Sequence, residues 1–345
     1  MNNTYLDRYF PDQFTELAVE NGWPKFRGKQ ISEWIYKKYV TSFDEMTNLP
    51  LALRTELAQK YKLTPLKEIN CQISRQENTI KWLSELEDGT QIETVLMRHS
   101  YGNSLCISTQ AGCAMGCNFC ASTLTGLERN LTASEMWWQV RLAERYLRKD
   151  SAKLDSLVVM GIGEPFQNLE ELIHFFHLLH DPQGADFSYR RITVSTSGIV
   201  PGIQALEREY IPVSLAISLH APTDTLRSQL MPINRQYPIR ILLAAAESYA
   251  QKSGRRVTYE YLLLDQINDQ ISHAKALVEL LKGKLAIVNL IPYNEVAERP
   301  YKRSTNEAVQ KFYKILSEEG ITVSIRREMG RDIAAACGQL RLGHS

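Results

Sequence analysis

The sequence predicts an α/β protein: a partial barrel of six β/α units with a small N-terminal helical accessory domain. Three observations predict this fold class. From about residue 100 onward, short β-branched or apolar runs alternate with amphipathic helical stretches. About six such units follow one another, whereas a complete barrel of this kind has eight. The first 70 residues are helical and show no repeat, and 345 residues suffice for one large domain with an accessory module.

The repeated part of the chain consists of strands that alternate with helices. Strands are predicted at residues 104–109, 156–161, 191–196, 213–219, 257–264, 285–291 and 321–326. Helices are predicted at residues 133–149, 168–180, 239–252, 269–282 and 304–319. Thr132 and Glu135 form a capping box at the start of the first of these helices. Because successive right-handed crossovers curl a parallel sheet, these units should form a partly open barrel.

We expect three regions along the chain. Residues 1–75 should form the helical accessory domain, and residues 76–98 a β-hairpin extension. The two hairpin strands, 79–86 and 91–97, flank a Glu-Asp-Gly-Thr turn. Residues 99–345 should form the barrel, together with a C-terminal segment of small residues around Cys337.

Charge and composition exclude several classes of protein. Forty Lys and Arg residues balance 39 Asp and Glu residues, so the chain lacks the overall charge of an indiscriminate polyanion binder. No run approaches the roughly 18 apolar residues that cross a bilayer, and the N-terminus lacks signal-peptide features. We therefore expect a cytoplasmic monomer without a membrane partner. Six cysteines are too few for a disulfide scaffold, and clustered thiols in a reducing compartment more often bind metal or do chemistry.

Three of these cysteines lie in one loop. Cys113, Cys117 and Cys120 form a C-x3-C-x2-C pattern in QAGCAMGCNFCAS, directly after the first strand of the repeat. Three thiolates can ligate three corners of a [4Fe-4S] cube and leave the fourth iron open to a small chelating molecule. A structural zinc ion usually needs a fourth Cys or His nearby, and the closest histidines in sequence are His99 and His174. The pattern therefore favours an open-site iron-sulfur cluster over zinc.

Polar residues also occur where the predicted strands end. The motif GIGEP, residues 161–165, follows the second strand, and its glycines allow the backbone to approach a ligand. Single polar residues also lie at or just after the ends of the third, fourth and sixth strands, and each of them, taken singly, is more often a cap or turn residue. Because the carboxyl ends of parallel barrel strands share one rim, all of these positions should surround one site near the cysteine loop. The residues are Gly163, Glu164, Ser195, Ser218, Leu219, His220 and Asn294.

The three-cysteine loop, with Phe119 before its last cysteine, resembles the radical S-adenosylmethionine (SAM) superfamily. The resemblance implies a radical SAM partial barrel with a [4Fe-4S] cluster whose open iron binds SAM. Six longer segments narrow it to the RlmN/Cfr family of radical SAM RNA methyltransferases, and residues 1–75 look like that family's RNA-engaging accessory domain. The segments are QAGCAMGCNFCASTLTGLERNLT, GIGEPFQN, ITVSTSGIVPGI, SLAISLHAPTDTLRSQLMPIN, NLIPYNE and IRREMGRDIAAACGQLR.

The resemblance also implies a role for each candidate residue. Cys113, Cys117 and Cys120 would ligate the cluster. Cys337 would be methylated by one SAM, Cys106 would be its transient disulfide partner, and Glu93 would be the proton acceptor. The positions that match SAM-binding residues are Gly163, Glu164, Ser195, Ser218, Leu219, His220 and Asn294.

In the family's scheme, two SAM molecules are used for each product. A radical made from the second SAM removes hydrogen from the methyl group on Cys337, and the resulting carbon adds to the adenine ring. After Glu93 has accepted the ring proton, Cys106 attacks the sulfur of Cys337. This attack releases methyladenine and leaves a disulfide, which an external reductant reopens.

The target carbon distinguishes the two branches of the family. The stretches GIGEP, CASTLTGL and IRREMG are RlmN-like, which implies methylation of adenine C2 in the peptidyl-transferase centre of 23S rRNA. The resemblance allows an adenosine beside a tRNA anticodon as a second substrate, and a flavodoxin or ferredoxin as electron donor. The alternatives are Cfr-like C8 methylation, another radical SAM enzyme such as a glycyl-radical activase, and a non-catalytic RNA-binding metalloprotein.

The remaining features are more ordinary. His174, His177 and His180 recur every third residue, which spreads them around a helix and favours packed or surface histidines over a metal site. Trp137 and Trp138 are expected in the core. Several arginines and a lysine are candidate phosphate contacts if they lie on the rim, namely Arg190, Arg191, Arg255, Arg256, Arg299, Lys302, Arg303, Arg326 and Arg327.

Overall fold

The structure, a computed structural model, describes residues 4–63 and 66–341 of the chain. The helices are α1 (Gln13–Glu20), α2 (Lys25–Tyr36), α3 (Leu51–Lys60), α4 (Ala133–Arg148), α5 (Leu169–His180), α6 (Val200–Arg208), α7 (Asp224–Leu230), α8 (Ile239–Ser253), α9 (Ile271–Leu281) and α10 (Asn306–Glu318). The strands are β1 (Thr4–Tyr5), β2 (Tyr61–Lys62), β3 (Lys67–Ile73), β4 (Thr79–Glu85), β5 (Gln91–His99), β6 (Gly102–Cys106), β7 (Gln110–Gly112), β8 (Leu127–Asn130), β9 (Ser156–Val159), β10 (Ile192–Thr196), β11 (Ser214–Ser218), β12 (Val257–Leu263), β13 (Ala286–Pro292) and β14 (Thr322–Ile325). In these ranges we find no helix with the length and apolar character to cross a bilayer.

The main sheet confirms the predicted partial barrel. Its ten strands run in the order β14-β13-β12-β11-β10-β9-β6-β5-β4-β3. From β6 through β9 to β14, all neighbouring strands are parallel. Helices α4, α5, α6, α8, α9 and α10 connect them, so six β/α units precede the last strand. The predicted capping box at Thr132 and Glu135 is present and starts α4.

The barrel is open on the side where β14 forms an edge of the sheet. Beyond the other end of the parallel set, β5, β4 and β3 continue the sheet in antiparallel order. The predicted hairpin at 79–86 and 91–97 corresponds to β4 and β5. Residues 328–341, which we call the C-terminal segment, leave β14 and reach this antiparallel extension, where Asp332 accepts a hydrogen bond of 2.7 Å from the Ser74 hydroxyl.

The expectation that helical structure continues to residue 70 is wrong. Lys67–Ile73 forms β3, the outer strand of the extension, and pairs with β4 from Lys67↔Glu85 to Ile73↔Ile80. Most of its side chains are exposed, so the strand has no buried face that would give the sequence a clear alternation. Pairing with β4 rather than local pattern stabilises this strand.

The predicted domain boundaries at residues 75 and 98 stay predictions. Residues 1–3 and 64–65 of the predicted accessory domain, and residues 342–345 of the predicted barrel region, lie outside the described residues.

The N-terminal helices dock on α4 of the barrel. Arg141 of α4 forms an ion pair of 2.8 Å with Asp7, and both side chains are fully buried. The rings of Tyr36 and Tyr39 lie 5.3 and 5.7 Å from the ring of Trp137. Trp137 and Trp138 are buried, as predicted. The accessory helices and the barrel thus share one continuous apolar core.

Candidate active site

A cavity of about 850 Å³ lies at the carboxyl ends of the parallel strands. Its wall continues from β14 on one side of the barrel opening to β5 and β6 on the other. Of the predicted site residues, all but two line this cavity. The eleven that line it are Cys106, Cys113, Cys117, Cys120, Gly163, Glu164, Ser195, Ser218, His220, Asn294 and Cys337. The fold therefore brings together residues that lie more than two hundred positions apart in the sequence.

The cysteine loop is fixed by its own backbone. It follows β7, and the N–H of Cys113 donates to the Gly126 carbonyl at 2.9 Å. At Gly112 the backbone is left-handed, with φ of +74°, and a Cβ there would lie 1.9 Å from the Gly126 oxygen. Only glycine permits this close approach. On the other side of the loop, the Arg299 guanidinium donates to the Cys120 carbonyl at 2.8 Å.

The three thiols of this loop suit an iron-sulfur cluster. Burial raises the pKa of Cys113 to about 12 and raises the pKa values of Cys117 and Cys120 as well. Thiolates in such surroundings need a strong positive charge, which cluster irons supply. Within the described ranges, no three His, Cys, Asp or Glu side chains converge on one point as a single metal ion requires. Cube corners are separate irons, so three cluster ligands need no common point.

The motif after β9 is held against the neighbouring strands. Glu164 is 2% exposed. Its carboxylate accepts hydrogen bonds from the Thr196 hydroxyl at 2.8 Å and from the Ser197 N–H at 2.6 Å. Gly163 has a φ of +111°, and a Cβ there would lie 2.6 Å from the side chain of Gln110. Glu164 therefore cross-links the ends of β9 and β10, and it lines the cavity at the same time.

His220 presents a neutral imidazole to the cavity. Burial, together with the charge of Arg227, lowers its pKa to about 3. Its Nδ1 accepts a hydrogen bond of 3.0 Å from the Leu262 N–H, which leaves Nε2 as the protonated nitrogen. The Phe119 ring lies edge-on at 5.0 Å and fixes the orientation of the imidazole. His220 can therefore act as a hydrogen-bond donor at this wall.

Two polar atoms on the cavity wall have no hydrogen-bond partner within the described residues. They are Oδ1 of Asn294 and Oγ of Ser197, and both are buried. Buried polar atoms are nearly always satisfied by protein, water or ligand. A polar molecule in the cavity would supply the missing partners. The wall thus fits a ligand such as SAM, whose amino, carboxylate and ribose groups are all polar.

Leu219 lies next to this wall rather than on it. Its side chain is fully buried in the hydrophobic core. Its N–H donates to the Glu260 carbonyl at 3.1 Å, and its carbonyl accepts from the Arg227 guanidinium at 3.1 Å. Leu219 therefore contributes to the site through the path of its backbone.

Cys106 and Cys337 lie close together across the barrel opening. All six cysteines are free thiols. Ala335 and Leu340, on either side of Cys337 in the C-terminal segment, pack against Cys106 in one apolar cluster. Burial, with the nearby Cys337 thiol as second cause, raises the pKa of Cys106 to about 12. The Arg326 guanidinium, 3.8 Å from Cys337 Sγ, places a positive charge beside that sulfur.

Glu93 is buried behind the C-terminal segment and is not among the residues that line the cavity. Its carboxylate forms an ion pair of 2.8 Å with Lys81, and both side chains are about 10% exposed. The same carboxylate accepts a hydrogen bond of 2.9 Å from the Arg341 N–H, and Lys81 donates to the Ala334 carbonyl at 3.4 Å. Glu93 and Lys81 thus anchor the C-terminal segment on both sides of Cys337.

Sequence reasoning missed several of these residues. Lys81 carries no motif, and the contact of Arg326 with Cys337 depends on how the C-terminal segment folds back. Of the three spaced histidines, His174 and His177 are partly buried and His180 is exposed. His174, His177 and His180 contact the Arg8 carbonyl, the Tyr189 hydroxyl and the Phe187 carbonyl, respectively.

Comparisons with known proteins agree with this arrangement. Residues 7–63 match the family "Ribosomal RNA large subunit methyltransferase N-terminal domain", and residues 107–279 match "Radical SAM superfamily". A curated relative from Symbiobacterium thermophilum, named "Probable dual-specificity RNA methyltransferase RlmN", is 51% identical over 96% of this chain and 89% of its own length. A relative of the same name from Geobacillus thermodenitrificans is 52% identical over 96% of this chain and 90% of its own.

A solved structure is similar over nearly the whole chain. The crystal structure of a radical SAM methyltransferase from Sphaerobacter thermophilus superimposes with a TM-score of 0.95 at 46% identity. The match covers 98% of this chain and 99% of the other. Similarity of this extent, with the three-cysteine loop placed on the cavity wall, shows that the chain belongs to the RlmN family of radical SAM RNA methyltransferases, enzymes that use a [4Fe-4S] cluster and SAM.

Proposed function

We propose that the protein methylates C2 of an adenosine in the peptidyl-transferase centre of 23S rRNA, and also an adenosine beside a tRNA anticodon. The observation that carries this proposal is the meeting of Cys106 and Cys337 in the cavity lined by the three cluster thiols. A radical SAM enzyme without a protein-bound methyl carrier needs no pair of cysteines in addition to its three cluster ligands. The names of the curated relatives, dual-specificity RNA methyltransferases, support two kinds of RNA substrate.

Cys113, Cys117 and Cys120 would hold the cluster, and Asn294, His220 and Ser197 offer hydrogen-bonding groups for SAM. When bound, the cluster supplies the electron that cleaves SAM to methionine and a 5′-deoxyadenosyl radical. We assign two SAM molecules to each product, a flavodoxin- or ferredoxin-type electron donor, and a cytoplasmic monomer as the working form.

The chain's own thiols perform the transfer. C2 of adenine is an electron-poor ring carbon without a lone pair, so a methyl cation cannot be transferred to it directly. Cys337 accepts the methyl group first, and the 5′-deoxyadenosyl radical then removes a hydrogen atom from it. The resulting carbon radical bonds to C2 while still attached to sulfur. This adduct loses the C2 proton and one electron, which the oxidised cluster would take up. Attack by the Cys106 thiolate on the Cys337 sulfur forms the S–S bond and breaks the S–C bond, and the released carbon takes up a proton to become the methyl group. The Arg326 guanidinium lies 3.8 Å from this sulfur.

Nucleoside mass spectrometry of 23S rRNA and tRNA tests the proposed function. RNA from cells with and without the protein is digested, and the methyladenosine isomers are separated. We expect 2-methyladenosine in both RNAs only when the protein is present. An 8-methyladenosine product would assign the chain to the Cfr-like reaction, and an unchanged methyladenosine content would refute the proposal.

Glu93 is proposed as the acceptor of the ring proton. Lys81, 2.8 Å away, keeps a positive charge beside its carboxylate. To reach the base, the carboxylate must release the Arg341 N–H that it binds in this structure. We therefore expect the proton step to be coupled to a shift of the C-terminal segment.

The variant Glu93→Gln separates proton transfer from anchoring. Glutamine can still accept from the Arg341 N–H, but it cannot take up a proton at this position. We expect Cys337 to be methylated as in the wild type, while RNA methylation falls by about two orders of magnitude and RNA remains bound covalently. Lys81→Met removes the ion pair but leaves the Glu93 carboxylate in place, so it is the control for loss of the ion pair alone. Wild-type product formation by Glu93→Gln would limit Glu93 to a positioning role.

A further inference from the structure

An exposed aromatic stack lies on the wall of the active-site cavity. The rings of Tyr101 and His99 are 4.6 Å apart and nearly parallel, at 5°. Tyr101 is 84% exposed, and both residues line the cavity. Single exposed aromatic residues are common on protein surfaces. This one presents the free face of its ring at a cavity that must admit a nucleobase.

The turn that carries Tyr101 is held in place. It joins β5 to β6, and the N–H of Asn103 donates to the Asp155 carboxylate at 2.8 Å. The N–H of Asp155 donates back to the Asn103 carbonyl at 2.9 Å. Gly102 between them has a φ of +142°, and a Cβ there would lie 2.8 Å from the Asp155 carboxylate. Because the turn is ordered before any ligand binds, stacking on Tyr101 would cost little conformational entropy.

Positive charge lies beside the stack. Arg326 and Arg327 both line the cavity, and neither forms an ion pair with any described residue. Burial, followed by the charges of Arg327 and Arg326, lowers the pKa of His99, so its ring is neutral. Arg326 also contacts Cys337, which connects the stack to the methyl-carrying sulfur along one wall. Aromatic faces combined with cations are what single-stranded nucleic acids bind.

We propose that Tyr101, backed by His99, is a stacking platform for the unpaired base next to the target adenosine, and that Arg327 contacts the phosphate between the two nucleotides. This inference rests on the proposed function. An enzyme that acts on a base must take it out of its stack, and the neighbouring base then loses its own stacking partner. The platform would replace that partner and hold the RNA open while the target reaches Cys337.

Two tyrosines allow a matched comparison. Tyr210 is 86% exposed, close to the value for Tyr101, but it lies between α6 and the start of β11 and does not line the cavity. We expect Tyr101→Leu to raise the Kd for an RNA hairpin with the target adenosine about tenfold, the usual effect of losing one stacked base. Tyr210→Leu should bind as the wild type does, and Tyr101→Phe, which keeps the ring, should restore binding. Equal Kd values for the two leucine variants would overturn the proposal.

Photocrosslinking of the wild-type protein tests the same contact without a substitution. The hairpin carries 5-iodouridine on one or the other side of the target adenosine, and the crosslinked residue is identified by mass spectrometry. We expect a crosslink to Tyr101 from one of the two positions. If crosslinks form only to other residues, Tyr101 is not the stacking platform. Methylation of the unmodified hairpin is measured in parallel. If the wild type forms no 2-methyladenosine, the proposed function fails, whereas normal methylation without a Tyr101 contact removes only this inference.

Discussion

Cys337→Ala is expected to abolish RNA methylation, and Cys106→Ala to accumulate RNA joined covalently to Cys337. Without the Cys337 sulfur the proposed route has no methyl carrier, so the loss should be complete rather than partial. Without the Cys106 sulfur the carrier can still be methylated and can still bond to the base. The S–C bond then has no free thiol to break it, because the other thiols of the cavity, Cys113, Cys117 and Cys120, are assigned to the cluster.

Denaturing gel electrophoresis and intact-protein mass spectrometry distinguish these outcomes. The Cys106→Ala protein should carry the mass of the RNA, with the linkage mapped to Cys337, and the double variant should carry none. Cys71→Ala is the control, because this thiol lies on the outer strand β3 and away from the cavity wall. Methylated RNA from Cys337→Ala would eliminate the proposed route, whatever the other variants do.

Arg141→Met is expected to lower the stability of the protein by about 3–5 kcal/mol, the usual effect of breaking a buried ion pair. Arg141 and Asp7 are both fully buried at the contact between the accessory helices and α4. Methionine fills much of the arginine volume but leaves the Asp7 carboxylate without this cation in a region of low polarity. The melting temperature should fall by several degrees, measured by differential scanning calorimetry.

A neighbouring ion pair serves as the control. Arg145 of α4 contacts Glu45 at 2.8 Å across the same interface, but both side chains are more than a third exposed. Arg145→Met should therefore cost about 1 kcal/mol or less. The double variant Asp7→Leu, Arg141→Met should recover much of the loss, since no charge remains buried. Equal melting temperatures for Arg141→Met and Arg145→Met would contradict a stabilising role for the buried pair.

The elements that the sequence predicts best are those with local determinants. The parallel strands are apolar runs, and α4 starts at the predicted capping box because Thr132 and Glu135 satisfy each other's backbone groups within one turn. The outer strand β3 was missed because it lacks a buried face and depends on β4 for its hydrogen bonds. Glu164 was expected at a ligand, and the structure adds that its carboxylate also joins the ends of β9 and β10.

By itself the sequence determined the fold class, the cysteine loop and the rim on which the site lies. These features follow from short-range spacing, because three thiols within eight residues share one loop and all parallel strands end at the same rim. Only the tertiary structure decided how the C-terminal segment meets the antiparallel extension. The folded chain brings the Arg341 N–H to Glu93 and the Ala334 carbonyl to Lys81, and it places Cys106 and Tyr101 on the same cavity wall as Cys337. Such contacts join residues from distant parts of the chain, and their formation depends on the path of the folded backbone rather than on any local pattern.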